Sequence, residues 1–272
     1  MTQPSHTGVA RNYATTHENR IHSDEVAAKF GFKGALVPGV TVFGLTSIPL
    51  TNAQDANWLI GHTLHTRFLK PAYHNDTLNV FTAIENGKTD AQCKNTDDEL
   101  LCTLQVVPGV SAPQLQEYGF DLTTQPVAST RENRPEISSE SIHVDQPFPV
   151  RPWQPTPEEN ARYATEVDDT NSLFTANSAN ANAPLVHPHF LLSQANMVLM
   201  DEFEMPAWMH VGSEVRLHSP LLVNRDYRVF AQPIKQWERK GHEFVTVYMA
   251  FEHNGLAVTE VLHTAIYRIA GT

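Results

Sequence analysis

Two long apolar runs, Val40 to Leu50 and His189 to Phe203, interrupt a chain that otherwise mixes apolar and polar positions closely. Each is long for a strand and each follows a proline, Pro38 or Pro188, so both are expected to be helices buried on most sides. Pro49 is expected to end or bend the first. Strand-like segments follow each run. After the first come Thr63 to Leu69, Thr77 to Glu85, Thr89 to Lys94 and Glu99 to Val107. After the second come Glu214 to His218, Asp226 to Trp237, Glu243 to His253 and Ala257 to Ile269. Gly87, Asp97-Asp98, Gly241 and Asn254-Gly255 supply turn chemistry between them. A shorter helix is expected over Ser23 to Phe30, capped by Ser23 or Asp24 and stopped at Gly31. Thr156-Pro157-Glu158-Glu159 reads as a second helix start, with acids near the positive end of the helix dipole.

The same order of elements is therefore written twice. Arg67, Pro71, Asn75, Val80 and Phe81 recur as Arg216, Pro220, Asn224, Val229 and Phe230, all at an offset of 149. Val37-Pro38-Gly39 lies over His187-Pro188-His189 at an offset of 150. Fixed spacing of this kind marks an internal repeat. The first unit covers residues 1–108 and the second 156–272. Between them, 109–155 is rich in proline, serine and threonine and reads as an extended linker, pinned by Phe120, Phe148 and Trp153. Each unit is α+β, an antiparallel sheet wrapped around a central helix.

Bulk properties narrow the function. The 272 residues are 41% hydrophobic, enough to bury a substantial core. A net charge of −11 argues against nucleic acid or an anionic membrane as the main partner. No apolar stretch is long enough to span a bilayer, and Met1 to Gly8 lacks the apolar core of a signal peptide, so the cytoplasm is expected. Cys93 and Cys102 have no metal-ligand spacing. They should face each other across a hairpin turning at Asp97-Asp98 as small apolar residues, not as a disulfide.

The layout, together with the sequence around the helices, resembles the hotdog fold and the MaoC-like, (R)-specific enoyl-CoA hydratase/dehydratase superfamily in particular. Asn19-Arg20-Ile21-His22-Ser23-Asp24 with Val26-Ala27 is similar to its catalytic segment and following helix. Ala164 to Leu192 is similar to the start of a MaoC-type domain. Trp208 to Arg268, with Arg239-Lys240-Gly241-His242-Glu243 and His263-Thr264-Ala265-Ile266-Tyr267, is similar to its strands. The resemblance covers all but the linker and implies a double hotdog.

Members that hydrate enoyl thioesters carry D-x-N-P-x-H, whose Asp and His hold a water, and a glycine amide that polarises the thioester oxygen. The resemblance carries these roles over unevenly. In the first repeat Asn19 and His22 match, but His17 stands at the Asp position and Arg20 at the Pro position. In the second, Asp169 and Asn171 match, but Ser172 and Phe174 replace Pro and His. Gly39, with Val37 and Pro38 before it, fits the oxyanion and substrate-binding position. His189 stands there in the second repeat, where its amide could still donate.

The expectation is a hydro-lyase acting at the 2,3 bond of an acyl-CoA or acyl-carrier-protein thioester. His22 would carry the proton, Asn19 and His17 would hold the water, and Asp169, Asn171 and His189 mark a possible second site. No metal and no cofactor are implied. A sheet edge left open by each repeat suggests a homodimer. The alternatives are a degenerate hotdog that only binds an acyl thioester or another small ligand and, further off, a thioesterase, which wants a carboxylate in the central helix. Val40 to Leu50 contains none, and Asp201 and Glu202 come only at the far end of the second helix.

Overall fold

The computed structural model describes residues 3, 5–175 and 184–271. Parts of three expectations lie outside them: 176–183 within the Ala164 to Leu192 segment, residues 1, 2 and 4 of the first repeat, and residue 272 of the second.

The helices are α1 (Asp24–Lys29), α2 (Gly39–Gln54), α3 (Pro157–Thr165) and α4 (Pro188–Glu202). The two long apolar runs are α2 and α4. Helix α2 is buried without interruption from Val40 to Thr51 and continues through Pro49 to Gln54. Pro49 therefore does not end it. A proline inside a helix costs about 3 kcal/mol, and burial of Ile48, Leu50 and Thr51 against the sheet outweighs that. Helix α3 starts as expected, with a reciprocal cap between Thr156 and Glu159. Neither expected cap of α1 forms. The Ser23 hydroxyl donates to the Arg20 carbonyl, and Asp24 Oδ1 accepts from the Ala35 amide at 2.7 Å. Gly31, just past the end of α1, has φ of 78°, as a stop there requires.

The strands are β1 (His6–Val9), β2 (His62–Phe68), β3 (Thr77–Glu85), β4 (Lys88–Lys94), β5 (Leu100–Pro108), β6 (Arg151–Trp153), β7 (Met209–Leu217), β8 (Tyr227–Arg239), β9 (His242–His253) and β10 (Leu256–Arg268). They form one ten-stranded sheet in the order β1-β3-β4-β5-β2-β7-β10-β9-β8-β6. Every paired neighbour is antiparallel. The order is palindromic about β2 and β7. His65 pairs with Glu214, its own counterpart at the offset of 149, so the pseudo-two-fold axis passes through that pair. Asn75 and Asn224, another matched pair, both adopt left-handed φ, 69° and 58°, at the same turn. Cys93 and Cys102 are Cα partners in β4 and β5, and both are free thiols.

The inner edges of the two repeats are joined to each other through β2 and β7, so they are not left open for another chain. The outer edges are covered by the short strands β1 and β6. One edge of each repeat is thus used within the chain, and the free edges of the sheet are β1 and β6.

Helices α2 and α4 pack against each other, and α2 lies on the sheet. Gly44 allows the contact: a Cβ there would stand 2.9 Å from the Cβ of His189 and 3.0 Å from Val167 Cγ1. The linker crosses the opposite face of the second repeat. Leu115, Tyr118, Phe120 and Leu122 pack on Phe230, Tyr248 and Ala250, and the Gln114 amide donates to buried Glu260 at 2.6 Å. Phe148 and Trp153 return to the main core against Phe203 and Phe190. No helix among the described residues is long and apolar enough to cross a membrane.

Candidate active site

The segment before α1 makes a single 3-10 turn over Arg20–His22. Asn19, only 5% exposed, holds it. Its Oδ1 accepts from the Ile21 amide and from the Trp208 amide at 3.2 Å. Its Nδ2 donates to the Trp208 carbonyl at 3.0 Å and faces His22 Nε2 at 3.3 Å. Asn19 thus ties this loop of the first repeat to the residue just before β7 in the second. Arg20 adds to the same seam through its amide, which donates to the Pro206 carbonyl at 2.7 Å.

His22 Nδ1 lies 2.8 Å from the Leu36 carbonyl. A carbonyl only accepts, so Nδ1 carries the proton and Nε2 presents its lone pair. Burial lowers the His22 pKa to about 4, against a smaller opposing effect of the Leu36 hydrogen bond. The ring is neutral at physiological pH.

Two cavities meet at this ring. The first, about 430 Å³, is largely apolar and is lined by Val37, Pro38, Gly39, Val42, Phe68 and Leu101 among others. The second, about 250 Å³, is lined by His17, Glu18, Thr41, Arg131, Arg162 and Glu166 among others. Asn19, His22, Pro38, Asn196 and Trp208 border both. Gly39 opens α2, where the first amides have no carbonyl one turn back to bond. A Cβ at Gly39 would lie 3.2–3.3 Å from the Phe68 ring, so a side chain there would press on the cavity wall. His17 faces the second cavity, its pKa lowered by burial and then by the charges of Arg162 and Arg131.

The second-repeat residues are arranged differently. Asp169 Oδ1 accepts from the Asn171 amide, and Asn171 Oδ1 accepts from the Leu173 amide, in consecutive Asx turns. Phe174, in place of the motif's histidine, offers Asp169 no hydrogen-bond partner within the motif. Asp169 has one in fully buried His187, whose Nε2 donates to Asp169 Oδ2 at 3.1 Å. The spacing of the motif did not reveal this because His187 comes from the next loop. His187 Nδ1 accepts from the His189 amide at 3.1 Å, so that amide is spent and is not free for a thioester oxygen. With both His187 nitrogens engaged, neither is left for a metal.

The cavity facing this loop is nearly closed. Phe43, Leu59, Leu185, Leu191, Leu192, Leu217 and Leu221 fill it to about 20 Å³, against about 430 Å³ at the counterpart in the first repeat. The repeat has therefore diverged into one open side and one packed side.

Sequence reading missed the second repeat's contribution to the His22 side. Asn196, Trp208 and His210 line the open cavity, yet lie far from His22 in the chain. One signal was present: Trp58 and Trp208 are spaced by 150, the offset of Pro38 and Pro188.

Comparison with family models and with curated proteins finds no match. Solved structures do match over almost the whole chain. A protein described as a MaoC domain dehydratase from Chloroflexus aurantiacus aligns with a TM-score of 0.61 at 12% identity, over 98% of this chain and 95% of that one. A conserved hypothetical protein of Mycobacterium tuberculosis described as having a double hotdog fold aligns with a TM-score of 0.60 at 14% identity, over 98% and 96%. A MaoC-like dehydratase aligns with a TM-score of 0.55 at 13% identity, over 96% and 98%. The chain has the double-hotdog fold, the one shared by these MaoC-like dehydratase structures. An oleoyl thioesterase from Lactobacillus plantarum also matches, at a TM-score of 0.49, which is too distant to carry an argument.

Proposed function

We propose that the protein is a hydro-lyase that adds or removes water at the 2,3 bond of an acyl thioester, using the site at His22. The observation that carries the reading is a neutral imidazole fixed by Leu36, with its lone pair on Nε2, at the junction of two cavities and beside the free start of α2. The pantetheine arm of coenzyme A or a carrier protein lies in the larger apolar cavity, and the acyl group passes His22 into the smaller one. In hydration, water attacks C3 and gives a proton to His22 Nε2. The C2–C3 π electrons move toward the thioester oxygen, where the Gly39 amide and the α2 dipole meet the developing charge. The enolate then takes the proton from Nε2 at C2, so one water is added overall. A low pKa makes the imidazolium a strong acid for that last step. Asn19 holds the ring, and His17 contacts the water from the second cavity.

Asp201 and Glu202, the only acids of α4, are ion-paired to Arg131 and Arg151. They are not offered to a thioester, which disfavours a thioesterase. A specific observation supports the rival reading of a binding protein without turnover: His22 Nε2 already faces an Asn19 donor, and the motif's acid is replaced by His17.

The test is hydration of crotonyl-CoA followed by loss of the enoyl absorbance, with wild type beside His22→Ala. Turnover by wild type alone supports the reading. No turnover of crotonyl-CoA or a longer enoyl-CoA favours the binding protein. With His22 as the proton carrier, kcat/KM stays level from about pH 8 to 5.5, where an unperturbed histidine would lose about ten-fold.

A further inference from the structure

The second cavity differs in character from the first. Its charged lining residues balance, Glu18 and Glu166 against Arg131 and Arg162. At about 250 Å³ it is under twice the ~150 Å³ of an engineered cavity that binds benzene. That suits a short acyl group better than a long alkyl tail.

Its walls also carry polar atoms with no partner among the described residues: Trp208 Nε1, Asn196 Oδ1 and Glu18 Oε1. The internal repeat supplies a control. Trp58, the counterpart of Trp208, donates from Nε1 to Thr51 Oγ1 at 3.2 Å. Asp201, at the Thr51 position plus 150, is instead turned to Arg131 at 2.8 Å. So the tryptophan is satisfied on the packed side of the molecule and unsatisfied on the open side. An unpaired buried N–H is destabilising, and a bound partner relieves that penalty.

The geometry points to a substrate whose short acyl group carries, beyond the oxygen added or removed at C3, a further neutral hydroxyl at C4 that inserts among Trp208, Asn196 and Glu18. This rests on the hydratase reading and names its substrate class. A hydroxyl accepts from Trp208 Nε1 and donates to Asn196 Oδ1 or Glu18. A carboxylate would be met by the two acceptors and by Glu166 as well, and gains nothing from balanced surroundings. The three atoms are closed to solvent in the free protein, so binding requires side-chain adjustment at the wall.

The test is calorimetric binding of unreactive saturated analogues to the full chain. 4-Hydroxybutyryl-CoA is expected to bind about ten-fold more tightly than butyryl-CoA, and succinyl-CoA and decanoyl-CoA no better than butyryl-CoA. In Trp208→Phe, which keeps the ring and removes the donor, and separately in Asn196→Leu, the preference should fall to about two-fold or less. Equal affinities for the hydroxylated and plain analogues overturn the inference and leave the hydratase reading standing. So does preference for succinyl-CoA or decanoyl-CoA, or a hydroxyl preference unchanged in both variants. Failure of every thioester to bind overturns both.

Discussion

His263 provides the sharpest test of how this fold carries buried titratable groups. It lies on β10, fully buried, against His210 with the rings tilted by 41° and their centroids 4.1 Å apart. Neither of its ring nitrogens has a partner among the described residues. Burial lowers its pKa from 6.5 to about 3. The unfolded chain therefore binds a proton between these values and the folded protein does not, so stability falls as pH falls below 6.5. Between pH 7 and pH 5 a single histidine of this kind removes about 2 kcal/mol. His22 and His189, lowered by burial to about 4 and about 3, act in the same direction. Together the three remove about 6 kcal/mol, comparable with the whole stability of many domains. His263→Leu removes two unsatisfied nitrogens and one titrating group at little change in volume. At pH 7 it should be neutral or stabilising. At pH 5 it should exceed wild type by about 2 kcal/mol more than at pH 7, about 0.7–1 M in the urea midpoint. Urea titrations of both proteins at the two pH values measure this. Parallel loss of stability in wild type and variant would refute the reasoning, since His263 could then not be held neutral by burial.

Asn19→Ala leaves the Trp208 amide and carbonyl without their side-chain partner across the seam, and should cost about 2–4 kcal/mol, read as a lowered thermal midpoint, along with most turnover. Gly39→Val drives a branched side chain into the Phe68 ring. It should cut crotonyl-CoA turnover by about ten-fold or more while circular dichroism stays unchanged. The thiols of Cys93 and Cys102, raised by burial to about 12 and about 11, should resist a disulfide reagent at pH 8 in the native protein and react once guanidinium unfolds it. Rapid native labelling would show that the β4–β5 hairpin opens.

Much of the architecture was legible in the chain because it rests on local periodicity repeated at a fixed interval. Apolar runs behind Pro38 and Pro188 become buried helices, alternation becomes strands, and Asn75 and Asn224 repeat the same left-handed turn. His22, Asn19 and Gly39 were marked as candidates by resemblance to the family's motif, and they sit on one short loop and, past α1, at the start of α2. What the chain could not show is decided by contacts between distant segments. Burial on all sides carries α2 through Pro49. One edge of each repeat is consumed because β2 and β7 meet at the pseudo-two-fold axis. Asp169 finds His187 and the His189 amide is used up, both by packing of one loop on another. Trp208 and Asn196 reach the His22 cavities only because the two repeats fold face to face. Local sequence sets which elements form. Which side of a symmetric pair stays open depends on volume and hydrogen-bond accounting across the seam, and only the assembled tertiary structure settles that.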